Sequence, residues 1–197
     1  MYNARMEKER GRGGRPRSDE AREAVLQAVD DLLLEVGYAA MTMKGIAERA
    51  GVSRQTVYRW WSTKAEILFE ASAADAEQEL AIPPAGAPLA DLTAYIEALV
   101  KFLAHSPAGL AYRALIGEAQ HDPVVASLVA SRDVLGDSAR IVVDRALEPA
   151  SRPLPPELTT ALLIGPPFFW ITSGHNPADL NAGELAEAFL NEVHRQP

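Results

Sequence analysis

Apolar residues recur along this chain at steps of three and four rather than two, which predicts helices throughout and no strands. Val25, Val29, Leu32, Leu33 and Val36 form the first stripe. Ser18 is a good N-cap before it, Asp19 and Glu20 suit the positive end of the helix dipole, and Gly37 is expected to stop the helix. Ile46, Ala47 and Ala50 then share one face of a short second helix, and Val57 and Trp61, four apart, face inward from a third. A fourth helix is predicted from about Lys64 to Leu80, where the Pro- and Gly-rich segment Ile82 to Pro88 breaks it. Leu89, Leu92, Ile96, Leu99 and Leu103 mark the next buried face.

Two later boundaries share one chemistry. Ser106-Pro107 and Asp122-Pro123 each set a capping side chain before a proline whose missing N–H costs nothing at the first helical position. They predict a helix of about thirteen residues and then a single helix from Pro123 to roughly Leu147. A second connector, Pro149 to Pro156, leads to an apolar segment from Leu158 to Ile171 and a final amphipathic helix on Leu185, Phe189 and Val193. Within residues 162–174 (LLIGPPFFWITSG), Pro166-Pro167 is expected to kink or break the helix. The apolar groups around that pair suit core, a subunit interface or the wall of a ligand cavity. The fold class is therefore all-α, with about nine helices.

The stretch Thr42 to Trp61 (TMKGIAERAGVSRQTVYRWW) carries the chemistry. Gly51 stands where the chain must turn sharply between two helices, and Val52 covers the bend. Ser53 can accept from the free amides that open the second of them. With Val57 and Trp61 buried, Arg54, Gln55, Thr56, Tyr58, Arg59 and Trp60 point outward, an arrangement suited to reading DNA.

The net charge of −8 speaks against a nucleic-acid partner only if it is evenly spread. Residues 1–64 hold 12 Lys and Arg against 9 Asp and Glu, while the remainder holds 7 against 18. That sorting fits a basic head on an acidic body. The first seventeen residues, with six basic and two acidic side chains and no apolar periodicity, are expected to be a flexible arm. Its GRGGRPR segment, containing Arg15 and Arg17, suits either a minor-groove hook or a non-specific counterion-releasing tail. No apolar run is long enough to span a membrane, and no apolar segment follows the basic N-terminus as in a secretory signal, so a cytoplasmic location is expected. The chain has no cysteine, which removes disulfides and thiolate chemistry. The four histidines lack close metal-ligand spacing, and no nucleophile elbow, phosphate-cradling loop or zinc-protease motif occurs. Neither an enzyme nor a cofactor is expected.

The Ile-Ala-x-x-Ala-Gly-Val-Ser core, followed by Thr-Val-Tyr, two aromatics and a lysine, closely resembles the N-terminal domain of the TetR family of bacterial transcriptional regulators. The resemblance runs from about Ser18 to Leu68. It implies a helix-turn-helix DNA-binding domain over 18–64 and a larger helical effector-binding and dimerisation domain over 65–197. It further implies a homodimer, usually a ligand-responsive repressor on a palindromic operator, with segments 158–171 and 180–194 as dimer helices and the helices between Leu89 and Leu147 around a small-molecule pocket. A helix-turn-helix adaptor or activator without small-molecule control is the alternative.

On double-stranded DNA, Arg54 and Gln55 are the candidate base readers, since a guanidinium fork suits guanine and a carboxamide suits adenine. Thr56 can offer its methyl or hydroxyl, and Ser53 opens the same helix. The family places a base or phosphate contact at the position of Lys44. Thr42, Tyr58 and Lys64 are candidate phosphate anchors, and Arg59 and Trp60 can serve either purpose. Trp60 departs from the His, Phe or Tyr usual at its position in the family. For an effector pocket the candidates are Tyr95, Phe102, His105, Tyr112 and Trp170, polar-tipped or aromatic groups on otherwise apolar helices.

Overall fold

The computed structural model describes residues 15–147 and 154–194. Within them the chain is helical and holds no strand. The helices are α1 (Arg15–Ala40), α2 (Met43–Arg49), α3 (Arg54–Tyr58), α4 (Lys64–Glu79), α5 (Pro88–His105), α6 (Pro107–Ala119), α7 (Pro123–Ala130), α8 (Val134–Ala146), α9 (Pro156–Thr172) and α10 (Ala182–His194). A short 3-10 turn, Pro177–Asp179, lies between the last two.

Three boundaries differ from the sequence reading. Helix α1 begins at Arg15 rather than Ser18, because Pro16 is preorganised for a first turn, so Arg15 and Arg17 have helical backbone instead of belonging to an arm. Residues 1–14, the rest of the proposed arm, lie outside the described residues, as does most of the connector before α9. The single helix expected over 123–147 is two. Asp133 accepts from the Gly136 amide at 3.0 Å and so caps a new helix after the break at Ser131 and Arg132. Helix α9 runs unbroken through Pro166 and Pro167. The two prolines remove the donors for the Leu162 and Leu163 carbonyls, and the residue before Pro166 is Gly165, which has no Cβ and so relaxes the restriction a proline places on its predecessor.

The expected caps form. Ser106 accepts from the Ala108 and Gly109 amides, and Asp122 accepts from those of Val124 and Val125, each ahead of a proline in the first turn. Gly37, at φ 73°, ends the regular part of α1, and one more turn leads to Ala40. Val25, Val29 and Leu33 are buried as the stripe predicts, whereas Val36 and Leu89 are exposed.

One apolar core runs from the head, through Val29, Ile46 and Val57, into the body, through Leu68, Leu99 and Leu115. Helix α4 packs most extensively on α6 and also meets α1, so it joins the head to the body. Helix α5 is the body's central element, in contact with α6, α8, α9 and α10. Where α1 passes α4, Asp30 carries a buried oxygen with no hydrogen-bond partner. Burial, followed by the nearby carboxylates of Asp75 and Asp31, pushes its carboxyl up to about 6. The folded state therefore binds a proton that the unfolded state releases, and between about pH 4 and pH 6 stability falls as pH rises. Asp30→Asn is expected to raise the thermal midpoint at pH 7 and to lose that advantage near pH 4, as followed by circular dichroism.

Candidate nucleic-acid interface

Local chemistry sets the geometry of the α2–turn–α3 unit. Thr42, in extended backbone, accepts from the Gly45 amide at 3.0 Å and starts α2. The helix ends at Ala50. Gly51 then takes φ 66°, a left-handed value that costs a side-chain-bearing residue about 1–2 kcal/mol. The Val52 amide closes the bend by donating to the Ala47 carbonyl at 3.0 Å. Ser53 reverses the chain into α3, its hydroxyl accepting from the Thr56 amide at 3.0 Å and lying 2.8 Å from the Thr56 hydroxyl.

Beneath α3, Val57 and Trp61 are buried with Ile46 and Ala47. The Trp61 indole donates to Glu70 at 2.9 Å, takes the Trp60 ring edge-on at 5.5 Å between centroids and has the Arg22 guanidinium 5.8 Å from its centroid. Arg22 is itself paired with Glu70 at 2.7 Å. This assembly binds the end of α3 to α1 and α4. Trp60, half-buried against the core, carries the Arg59 guanidinium on its face at 4.5 Å. That contact gives Trp60 a task in positioning Arg59.

On the other side of α3, Arg54, Gln55 and Tyr58 are exposed, and the side chains of Arg54 and Gln55 make no hydrogen bond or ion pair with any described residue. Ser53, Gln55, Thr56, Tyr58 and Arg59 line one shallow groove. Lys44 is exposed in the first turn of α2 and sits 3.5 Å from Glu48, a pairing that costs little to exchange for a phosphate.

Besides Arg22, two more head cations are engaged within the chain. Lys64 donates to the Tyr38 carbonyl at 2.7 Å and the Met41 carbonyl at 3.1 Å, with its ammonium 4.2 Å from the Tyr38 ring centroid. It ties α4 to the end of α1, which leaves one N–H for the phosphate role the sequence suggested. Arg49 forms a fork on Glu35, with one Nη1–Oε1 contact of 2.9 Å, and also meets Asp31 at 3.4 Å. The guanidinium bond holds Glu35 below the usual carboxylate range. Sequence reasoning missed Arg49 as a brace because its partners lie 14 and 18 residues away, beyond any helical period.

The five pocket candidates separate. Tyr95 and Phe102 are fully buried core, and the Tyr95 hydroxyl is satisfied 2.8 Å from Ser138. His105 sits on an open groove beside Glu97 and Lys101. Trp170 stacks on His175 at 4.3 Å, donates to the Asn176 carbonyl at 2.9 Å and borders a groove between α9 and α10. Tyr112 lines an open-mouthed cavity of about 320 Å³ between α6, α8 and α9. Of the five, it alone faces that cavity. Thr160, Ala161, Ile164, Gly165 and Phe168, one face of α9, form much of the wall.

A three-helix head with an exposed outer face on its third helix, joined by a long helix to a larger helical body, defines a helix-turn-helix transcriptional regulator. Family comparison agrees at both ends. Residues 25–71 match the model of bacterial regulatory proteins of the tetR family, and residues 82–192 match that of the tetracyclin repressor-like C-terminal domain. The chain belongs to the TetR family. The uncharacterized HTH-type transcriptional regulator YdeS of Bacillus subtilis is 40% identical over 113 residues, 57% of each chain. The HTH-type transcriptional regulator AqdR of Rhodococcus erythropolis is 32% identical over 101 residues, 51% of this chain and 48% of that protein. The chain thus spans about half the length of these curated relatives. Among solved structures, the TetR family transcription regulator SCO0332 is similar with a TM-score of 0.67 and 26% identity, over 90% of this chain and all of that one. Among the described residues, no helix is long and apolar enough to cross a membrane, and no group of metal-ligating side chains gathers.

Proposed function

We propose that this protein is a cytoplasmic, homodimeric repressor that binds a palindromic operator through α3 and is controlled by a small molecule held in the body. The observation that carries the DNA-binding part is the contrast within the head: Arg22, Arg49 and Lys64 are engaged internally, while Arg54 and Gln55 stand free at the start of α3. Arg54 and Gln55 then read base edges in the major groove, with Thr56 and Lys44 beside them. Thr42, Ser53, Tyr58 and Arg59 hold the backbone, Lys64 contributes its remaining N–H, and Trp60 keeps Arg59 in place. Residues 18–64 act as the DNA-binding domain, 65–197 as the effector and dimerisation domain, and Arg15 and Arg17 approach phosphate or minor groove from the start of α1.

The dimer reading rests on α9. Leu158 and Phe169 are 56% and 68% exposed, and with Leu162 and Pro166 they form a second apolar face, opposite the one that lines the cavity. A surface stripe of this kind on a helix end of the body fits burial against its own copy. Phe169→Asp is expected to halve the mass seen by sedimentation at micromolar concentration while the far-ultraviolet spectrum stays unchanged. Control follows from position, since one helix serves both the cavity and the paired face. An occupied cavity moves α9 and α6, and α6 packs on α4, which carries the head. Fluorescence anisotropy with the DNA upstream of its own gene tests the reading. Two chains per duplex are expected, and failure to bind any palindromic duplex at low salt contradicts it.

A further inference from the structure

We propose that the cavity between α6, α8 and α9 receives an organic cation, an ammonium group carried on a compact aromatic or aliphatic body. The inference rests on the effector reading above and names the chemistry of that site. Its apolar walls include Ile116, Leu135, Ile164 and Phe168, and its polar groups are Tyr112, Asp133, Glu157 and Thr160. Thr160 is already spent, its hydroxyl donating to the Glu157 carbonyl at 3.0 Å. The other three point to a ligand.

Tyr112 is 7% exposed, lines the cavity, and makes no hydroxyl hydrogen bond with any described residue, so its O–H is available to an entering ligand. Burial and then the Asp133 charge push that phenol up to about 12, so it is present as neutral O–H, able both to donate and to accept. Asp133 uses one oxygen on the Gly136 amide, and its charge bears on both Tyr112 and Tyr95. Glu157 opens α9 and meets Arg140 at 3.8 Å, with the Glu157 side chain largely in water and that of Arg140 less so.

No lysine, arginine or histidine lines the cavity. Two carboxylates and two aromatic rings therefore line a mostly apolar space whose own lining carries no cation, Arg140 meeting Glu157 from outside it at 3.8 Å. An anion entering would meet like charge and leave water for an apolar wall. A neutral body would gain the walls alone. A cation gains the walls, the carboxylates and the ring faces together. The cavity volume suits a ligand of modest size, near the lower end of small-molecule sites.

The test uses the full-length protein and three matched probes in isothermal titration calorimetry. They are benzyl(2-hydroxyethyl)dimethylammonium, its neutral carbon isostere 3,3-dimethyl-4-phenylbutan-1-ol, and the anion 3-phenylpropanoate. The expected result is one cation bound per chain, at least tenfold more tightly than the isostere, with the anion weakest. Glu157→Gln combined with Asp133→Asn, where asparagine can still cap α8, should erase most of the preference, and Tyr112→Phe should weaken the cation severalfold. Glu157→Gln alone, at an exposed position, should reduce it in the same direction. Equal or tighter binding of the isostere or the anion overturns the proposal, as does a preference that survives the double variant, or no binding of the cation. Operator anisotropy separates the two readings. If the cation binds as described and operator affinity does not change, the ligand class stands and effector control falls. If a neutral or anionic compound competes at the cavity and releases DNA, effector control stands and the cation proposal falls.

Discussion

Trp61→Ala is expected to cost about 3–5 kcal/mol of stability, the range for emptying a buried large aromatic site. Trp61 is 4% exposed, fills the space under α3, and holds Glu70, Trp60 and Arg22 in a single assembly. Its loss leaves a cavity at the junction of α1, α3 and α4 and strips Glu70 of a donor. For a chain of this size the thermal midpoint should fall by roughly 10 °C or more. Because α3 is only five residues long, it has little helical stability of its own and depends on this packing. Operator binding should therefore weaken even at temperatures where the body stays folded. Trp61→Phe, which keeps the ring but removes the indole donor, should lose clearly less. A midpoint change of only a degree or two for Trp61→Ala would contradict the assigned role.

The second large effect concerns affinity. Arg54→Ala should leave the fold untouched, since the side chain is exposed and touches no described polar partner. A bidentate base contact discriminates by about 1–3 kcal/mol. A symmetric dimer carries the residue twice, so the loss per operator is about 2–6 kcal/mol if the half-sites act independently. Anisotropy at fixed salt should show that loss on the operator and a much smaller one on random duplex. Equal loss on both would make Arg54 a phosphate contact rather than a reader.

The head was legible because its signals are local. Thr42, Gly51 and Ser53 each act on backbone groups within three residues, so a cap or a turn can be read from spacing alone. The caps at Ser106 and Asp122 were legible for the same reason. Asp133 carries the same local signal but follows an apolar run, and continuous periodicity across 123–147 concealed the break. The internal engagements of Lys64 and Arg49 are tertiary, with partners on or just after α1 far along the chain, so spacing alone could not show that both charges also brace the head. The pocket was the least legible part. Tyr95 and Tyr112 look alike in sequence, each a polar-tipped aromatic in an apolar helix. Only packing shows that Ser138 satisfies one while the other opens on a cavity.

α9 shows why a single segment resisted one assignment. Leu163, Pro167 and Ile171 face the core, Ala161, Ile164 and Phe168 the cavity, and Leu158 and Phe169 the outside. Core, cavity wall and exposed apolar surface are three faces of one helix, and a helix that is apolar all round reports no preference among them.

The central claim is that α3 reads DNA through its first two residues in a two-fold complex. Selection of binding sites from a random duplex library, run in parallel with the unaltered chain and with Arg54→Ala, tests it most directly. A palindromic motif is expected for the unaltered chain, and for Arg54→Ala the same motif with preference lost at one symmetric pair of positions. A motif without two-fold symmetry, or one that Arg54→Ala leaves unchanged at every position, would contradict it.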